Sequence, residues 1–403
     1  MKKIYYFLAI FYSLLCFSQT GQDKQAIANR DKYLFSTQPA ARNFTETIAY
    51  KQYNGLMFIE VGIGAESYNF LFDTGAVTII SASLNEKLKL KELYHNALVD
   101  ASGTQKNEAF YSLPELKIGT VTFNSVGAAV MDLKTISEQF CIRIDGIVGS
   151  NLMRSCYWKI DYKGRAITFS DKRIKASQRA STIEFEENFS GSPLLKLYYS
   201  NYNFLAIFDT GNNDAITLPE NLYFSSDKGK KGILKKGSGR NEFSLYGNAF
   251  AARNATLLDS LFVGDRLFKS EVAFITPIPI PIVGNEFLAR FDDVVLDWSK
   301  HKIYFSDTFK PYRALTTFGF DALFMDGKLT VSFLWDGSEA KGQGLLVGEI
   351  IESVDGVDLT NSTNESWCTF RDTSKEKAVI RITTRKADGS SGSYVLKRYT
   401  LME

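Results

Sequence analysis

Phe70-Leu71-Phe72-Asp73-Thr74-Gly75 and, 136 residues on, Ala206-Ile207-Phe208-Asp209-Thr210-Gly211 carry one pattern twice: an apolar strand running into Asp-Thr-Gly. A carboxylate on a tight turn after a buried strand sits at the edge of a rigid sheet. Glycine two positions later lets the backbone approach closely or take positive φ. Two such carboxylates held about 3 Å apart share one proton, because like charges at that distance cannot both ionise.

The duplication runs past the triplets. Ser102-Gly103 recurs as Ser238-Gly239, Asp161 as Asp297 and Phe169-Ser170-Asp171 as Phe305-Ser306-Asp307, all 136 residues later. Ile147-Val148-Gly149 recurs as Ile282-Val283-Gly284 at a step of 135, whereas Gly119 and Gly264 stand 145 apart. Gains and losses of this kind belong to loops around a shared core.

At these residues the chain resembles the aspartic proteases over roughly residues 45 to 309, with halves closer in size to fused retropepsin-like units than to pepsin lobes. The resemblance implies a mainly β, bilobal fold with a cleft between two pseudo-symmetric, barrel-like lobes. It implies Asp73 and Asp209 as the catalytic pair, supported by Thr74, Gly75 and Ala76 in one turn and Thr210, Gly211 and Asn212 in the other. The threonines would hydrogen-bond across to the opposite lobe. Ile147, Val148 and Gly149, and Ile282, Val283 and Gly284, would line the cleft beside the turns, where glycine leaves no side chain in the way.

Two places depart from the family. Asn212-Asn213-Asp214 follows the second triplet where a small Ser, Thr or Ala is usual, so Asn212 either donates to the pair or crowds it. The hairpins covering the site are expected at Asp100 to Tyr111 and at Gly237 to Phe250, on the turn signals Ser102-Gly103 and Ser238-Gly239. Tyr246-Gly247 in the second reads as a strand-turn pair.

Composition is consistent with compact β packing: 14% of residues are aromatic and only 8 are proline. A formal charge of +2 gives no nucleic-acid footprint. His95 and His301 are too far apart in sequence for a zinc motif or a marked Ser-His-Asp set. The expected chemistry needs neither metal nor cofactor.

Residues 1–18 read as an export signal: Lys2-Lys3, then an apolar run from Ile4 to Phe17, then Ser18. Residues 19–43 read as a polar leader, 44–172 as the first lobe and 173–309 as the second. The expected location is the periplasm or the medium, with no stable membrane span once the signal is removed. Cys141, Cys156 and Cys368 then remain. The first two are either a disulfide or buried thiols, and Cys368 is left over.

Residues 313–403 form a separate unit. Lys328 to Trp335 alternates as a strand, and Gly344 to Ile351 precedes Val354-Asp355-Gly356-Val357-Asp358-Leu359. This resembles a bacterial PDZ domain, a module that binds peptide ends by adding a strand to a sheet edge. Phe318-Gly319-Phe320 is either its carboxylate loop or a plain turn into the first strand, and the groove helix is expected near Glu365 to Arg371. The whole reads as an exported aspartic endopeptidase taking polypeptide in the cleft, with a peptide C-terminus or a protein partner at the module. The alternative is a non-catalytic peptide-binding protein of the cell envelope.

Overall fold

The computed structural model describes residues 21–177, 180–229, 232–312, 314–361, 363–374 and 376–402, so the export signal expected at 1–18 lies outside the described residues. The chain is mainly β. Two sets of strands repeat one plan.

In the first, Gly146–Val148 runs parallel to Glu66–Phe72 and antiparallel to Ile79–Ser81. In the second, Ile282–Gly284 runs parallel to Tyr202–Asp209 and antiparallel to Ile216–Pro219. Even the register repeats: Ile147 lies opposite Leu71, and Ile282 opposite Ile207. Every residue of the short strands Gly146–Val148 and Ile282–Gly284 is buried, so both faces are covered, which explains why they read as unbroken apolar runs instead of alternating ones.

An antiparallel sheet joins the halves in the order Thr45–Ala49, Ala166–Ser170, Tyr157–Asp161, Asp293–Asp297, Lys302–Phe305, Ser181–Glu187. Each half gives three strands, and Tyr157 pairs with Asp297 while Asp161 pairs with Asp293, so a pseudo-twofold axis passes between the middle strands. Trp158, Ile160, Ile167, Phe169, Leu296 and Ile303 are fully buried beneath it. Trp158 stacks on Phe169 with ring centroids 4.7 Å apart. Burying each such side chain contributes roughly 1.5–3 kcal/mol. The repeated Asp161 and Asp297 cap equivalent turns, accepting from Gly164 N (2.7 Å) and Lys300 N (3.1 Å).

The segment expected as a polar leader is partly built into the first lobe. Gly21–Asn29 is helical, Arg30–Leu34 forms a π-helical turn, and Gln38–Pro39 pairs with the strand Val121–Met131. Leu34 is buried, and its carbonyl accepts from Asn151 Nδ2 at 3.2 Å. One leucine among polar residues gives a weak sequence signal. The open backbone groups of an edge strand supply the rest of the attachment.

Residues 315–402 have a core of their own, including Leu329, Val331, Ile351, Ile382 and Leu396. The hairpin of Phe320–Met325 and Lys328–Trp335 leads to Ile350–Val354, which pairs with Val379–Arg385 and through it with Ser391–Lys397. The helix Asn364–Ser374 covers one side. This module is joined to both lobes. Its strand Lys328–Trp335 pairs antiparallel with the lobe-two strand Lys235–Ser244.

Its helix is linked to lobe one by a disulfide between Cys141 and Cys368, with Cα atoms 5.5 Å apart. This corrects the pairing entertained for Cys141 with Cys156. Cys156 is a free thiol enclosed in the first lobe's core, whereas Cys141 stands at the end of the helix Lys134–Phe140, facing the module.

Candidate active site

Each Asp-Thr-Gly turn is fixed by the strands around it. Asp73 N donates to Val148 O at 3.0 Å, and Ile207 N donates to Pro281 O at 2.9 Å, tying each triplet strand to its Ile-Val-Gly partner. Thr74 and Thr210, both fully buried, cross between lobes. Thr74 Oγ1 donates to Phe208 O (2.7 Å) and accepts from Thr210 N (3.1 Å). Thr210 Oγ1 donates to Phe72 O (2.9 Å) and accepts from Thr74 N (3.0 Å). Four reciprocal bonds in a water-excluded position leave no polar group unpaired, and they set the separation of the two turns.

The carboxyls meet across this grip. Asp73 Oδ1 accepts from Gly75 N at 2.7 Å and Asp209 Oδ1 from Gly211 N at 2.8 Å. Each carboxyl also lies against the other turn's glycine. A Cβ built on Gly75 would stand 2.5 Å from Asp209 Cγ, and one on Gly211 would collide with the Asp73 carboxyl. Glycine is therefore required by close approach at both places. The two carboxyls thus face each other across the junction of the turns, each beside the other's glycine. Burial pushes both carboxyls up, and the facing Asp73 charge pushes Asp209 well above the usual range. The pair therefore holds a proton that an isolated aspartate would have lost.

The residues after the triplets occupy equivalent backbone positions. Ala76 O accepts from Ser150 N (2.8 Å), and Asn212 O accepts from Asn285 N (2.7 Å). Gly149 and Gly284 pack directly against these turns. A Cβ on Gly149 would sit 2.5 Å from Ala76 O, and one on Gly284 2.7 Å from Asn212 Oδ1. Asn212 turns its side-chain oxygen back to accept from Asp214 N at 2.8 Å. That oxygen caps a turn.

Sequence reasoning missed what holds this second loop. Arg253 Nη2 donates to Asp214 Oδ1 at 2.5 Å, and the guanidinium lies 3.5 Å from the centroid of the Phe274 ring. Asn285 Nδ2 donates to Gly55 O (2.5 Å) and its Oδ1 accepts from Tyr162 OH (2.7 Å). In the first lobe Asn151 does comparable work with no charge, accepting from Thr78 N (2.6 Å) and donating to Gly127 O (2.8 Å). No local pattern around Arg253 or Asn151 marks them.

The covering hairpins differ from expectation in the second lobe. In the first, Glu92–Val99 and Gln105–Ile118 pair around a tip at residues 100–104, where Asp100 Oδ1 accepts from Ser102 N, Ser102 Oγ and Thr104 N. Ser102-Gly103 is that tip, with Gly103 at φ +83°. Ser238-Gly239 is not a tip: both lie within the strand Lys235–Ser244, and the turn comes at Leu245-Tyr246. Pairing with Phe333 and Leu334 on the other edge keeps this stretch extended and overrides its local turn signal. The two tips touch. Tyr246 N donates to Asp100 Oδ2 (3.3 Å), and Tyr246 OH to Leu98 O (3.4 Å).

Phe318-Gly319-Phe320 lies at the entry to the module's first long strand. Gly319 takes φ +91°, donates its N–H to Thr317 Oγ1 (3.0 Å) and accepts from Trp335 N (3.0 Å). Its amide is thus bonded locally. His95 and His301 pair with Glu92 (2.8 Å) and Glu187 (3.0 Å), on segments separate from the triplet turns. A cavity of about 550 Å³ opens beside Gly211 and Asn212.

Residues 59–152, which hold the first triplet and Ile147-Val148-Gly149, match the family model described as aspartyl protease. No curated protein matches the chain. Among solved structures, basic 7S globulin from soybean is 9% identical over 66% of this chain and 95% of its own, with a TM-score of 0.38. Conglutin gamma from lupine seeds is 8% identical over 66% and 95%, with a TM-score of 0.37. A retropepsin-like aspartic protease from Rickettsia conorii is 19% identical over 33% of this chain and 92% of its own, with a TM-score of 0.23. Likenesses at these scores carry no argument, whereas the family match falls on the lobe that supplies Asp73: the chain contains an aspartic-protease-like domain.

Proposed function

We propose that the protein is an aspartic peptidase in which Asp73 and Asp209 activate water against a peptide bond. One observation carries this reading: two buried carboxyls on equivalent turns, each seated against the other turn's glycine, with proton affinity raised by burial. The ionised member of the pair takes a proton from a water held between them. The protonated member donates to the scissile carbonyl oxygen, and the roles exchange as the leaving amine is protonated. The tips that meet through Asp100 and Tyr246 exclude bulk water above this site, which strengthens the charges below.

Export to the periplasm or medium is part of the same proposal, because a bond such as Cys141–Cys368 persists in oxidising compartments. Among the described residues no helix is long and apolar enough to cross a membrane. The C-terminal module is read as PDZ-like, with the strand Phe320–Met325 and the helix Asn364–Ser374 among its elements. The test is incubation of the mature protein with a peptide library from pH 3 to 8, beside Asp73→Asn and Asp209→Asn. Cleavage by the parent and by neither variant supports the reading. Peptide binding without cleavage at every pH would replace it with a non-catalytic peptide-binding role.

A further inference from the structure

The module's two attachments flank one part of the cleft. On lobe one, besides Cys141–Cys368, Gln139 Nε2 donates to Phe324 O (3.0 Å) and Arg371 donates to Gln139 O (3.0 Å) and to Tyr53 OH (2.9 Å). On lobe two, Gly237 pairs with Trp335 and Gly239 with Phe333, and Asp336 N closes the ladder on Lys236 O at 2.7 Å. The glycines permit this contact: a Cβ on Gly237 would enter the Phe333 ring, and one on Gly239 would strike Ser332 O. The Ser-Gly repeat that misled the hairpin reading is therefore a docking strip for the module.

Between these attachments lies the cavity of about 550 Å³. Gly211 and Asn212, next to Asp209, line it on the lobe-two side, Ser102 on the side of the first hairpin tip, and Phe318, Asp321 and Trp367 on the module's side. Its size is that of a small-molecule site, roughly 300–1,000 Å³, and it accommodates a few residues of peptide. Gly211 and Asn212, beside Asp209, thus face module residues across one cavity.

We propose that the C-terminal module stops the cleft on this side, so that the protein accepts a free polypeptide end there and refuses a chain that continues into a folded body. The proposal rests on the peptidase reading for its consequence, cleavage a few bonds from one terminus, and narrows the endopeptidase expectation accordingly. The stop itself is a matter of access and is testable without catalysis.

The test uses full-length Asp73→Asn protein, so that peptides stay uncut, and a random decapeptide library presented free, fused directly to green fluorescent protein at its N-terminus, or fused at its C-terminus. The expected result is that one fusion orientation binds at least tenfold more weakly than the other. Adding Cys141→Ser, Cys368→Ser and Gly237→Val, which remove the disulfide and block the docking strip, should bring the two orientations within about twofold. Equal binding of both orientations to the intact protein, or loss of both, overturns the proposal. Should the free library bind to neither protein, the peptidase reading fails, and access is scored on Asn213→Cys, whose position lines the same cavity. A 5-kDa maleimide polymer should then label the intact protein at least tenfold more slowly than the released one. Equal labelling rates overturn the stop.

Discussion

The two lobes share a backbone and differ in what holds it. Triplet, grip and Ile-Val-Gly register repeat almost residue for residue. Behind the first turn, however, stands a neutral amide: Asn151, buried and bonded to Thr78, Gly127 and Leu34. Behind the second stands an ion pair, Asp214 with Arg253, at the boundary with the C-terminal module. Duplication has kept the geometry that the carboxyls need and has let the means of support drift. The first loop is held by a neutral amide, whereas the second adds an ion pair to its amide, Asn285.

The sharpest way to break the shared part is at the carboxyls. Asp73→Asn and Asp209→Asn should each lower peptide cleavage by about 10²–10⁴-fold, the usual scale of general acid–base work, with circular dichroism unchanged. Survival of activity in one of them would mean that the lobes are not chemical equals. Next come the glycines. Gly75→Ala and Gly211→Ala each push a methyl group into the opposite carboxyl, and a shift on the order of 1 Å costs about 10²-fold. Similar losses in both are expected. A loss confined to one would show that the turns yield unequally.

The supports should separate the lobes. Asn151→Ala strands a buried N–H and two carbonyls, at about 1–3 kcal/mol for each group left unpaired, and this cost should hardly change with salt. Arg253→Met removes one half-buried partner of Asp214 and should cost less, about 1–2 kcal/mol. Salt should shrink the difference between Arg253→Met and the parent, because it screens the ion pair that the parent alone retains. Urea unfolding at low and at high salt measures both. Equal salt dependence would erase the distinction between a neutral and a charged scaffold.

What could be read from the chain and what could not follow the same division. The triplets and glycine strands were legible because their backbone demands exclude other residues: a Cβ at Gly75, Gly149, Gly211 or Gly284 has nowhere to go. Asn151 and Arg253 were not, since many side chains in many rotamers could tie down a turn. Ser238-Gly239 misled because a turn signal is local and sheet pairing is not. Cys141 and Cys368 are separated by 227 residues, and spacing says nothing about partners brought together by a docked domain. Leu34 was hidden for a similar reason, being one apolar residue whose pocket is made elsewhere.

The smallest effect is also the least intuitive. Both carboxyls of the pair bind protons more tightly in the folded chain than an ordinary aspartate does, because burial opposes charge on each and the Asp73 charge opposes it further on Asp209. A folded state that holds the extra proton is favoured in acid, and that advantage is lost as pH rises from the ordinary carboxylate range, about 4, through the raised folded value. At neutral pH the native pair is therefore a burden on stability that an uncharged amide would not impose. Asp209→Asn, inactive as it should be, is expected to unfold at higher urea than the parent near pH 8. The gain should shrink steadily toward pH 4, where the parent regains its proton. A difference that stays constant across that range would mean that the two carboxyls do not crowd each other, and the case for a shared proton would go with it.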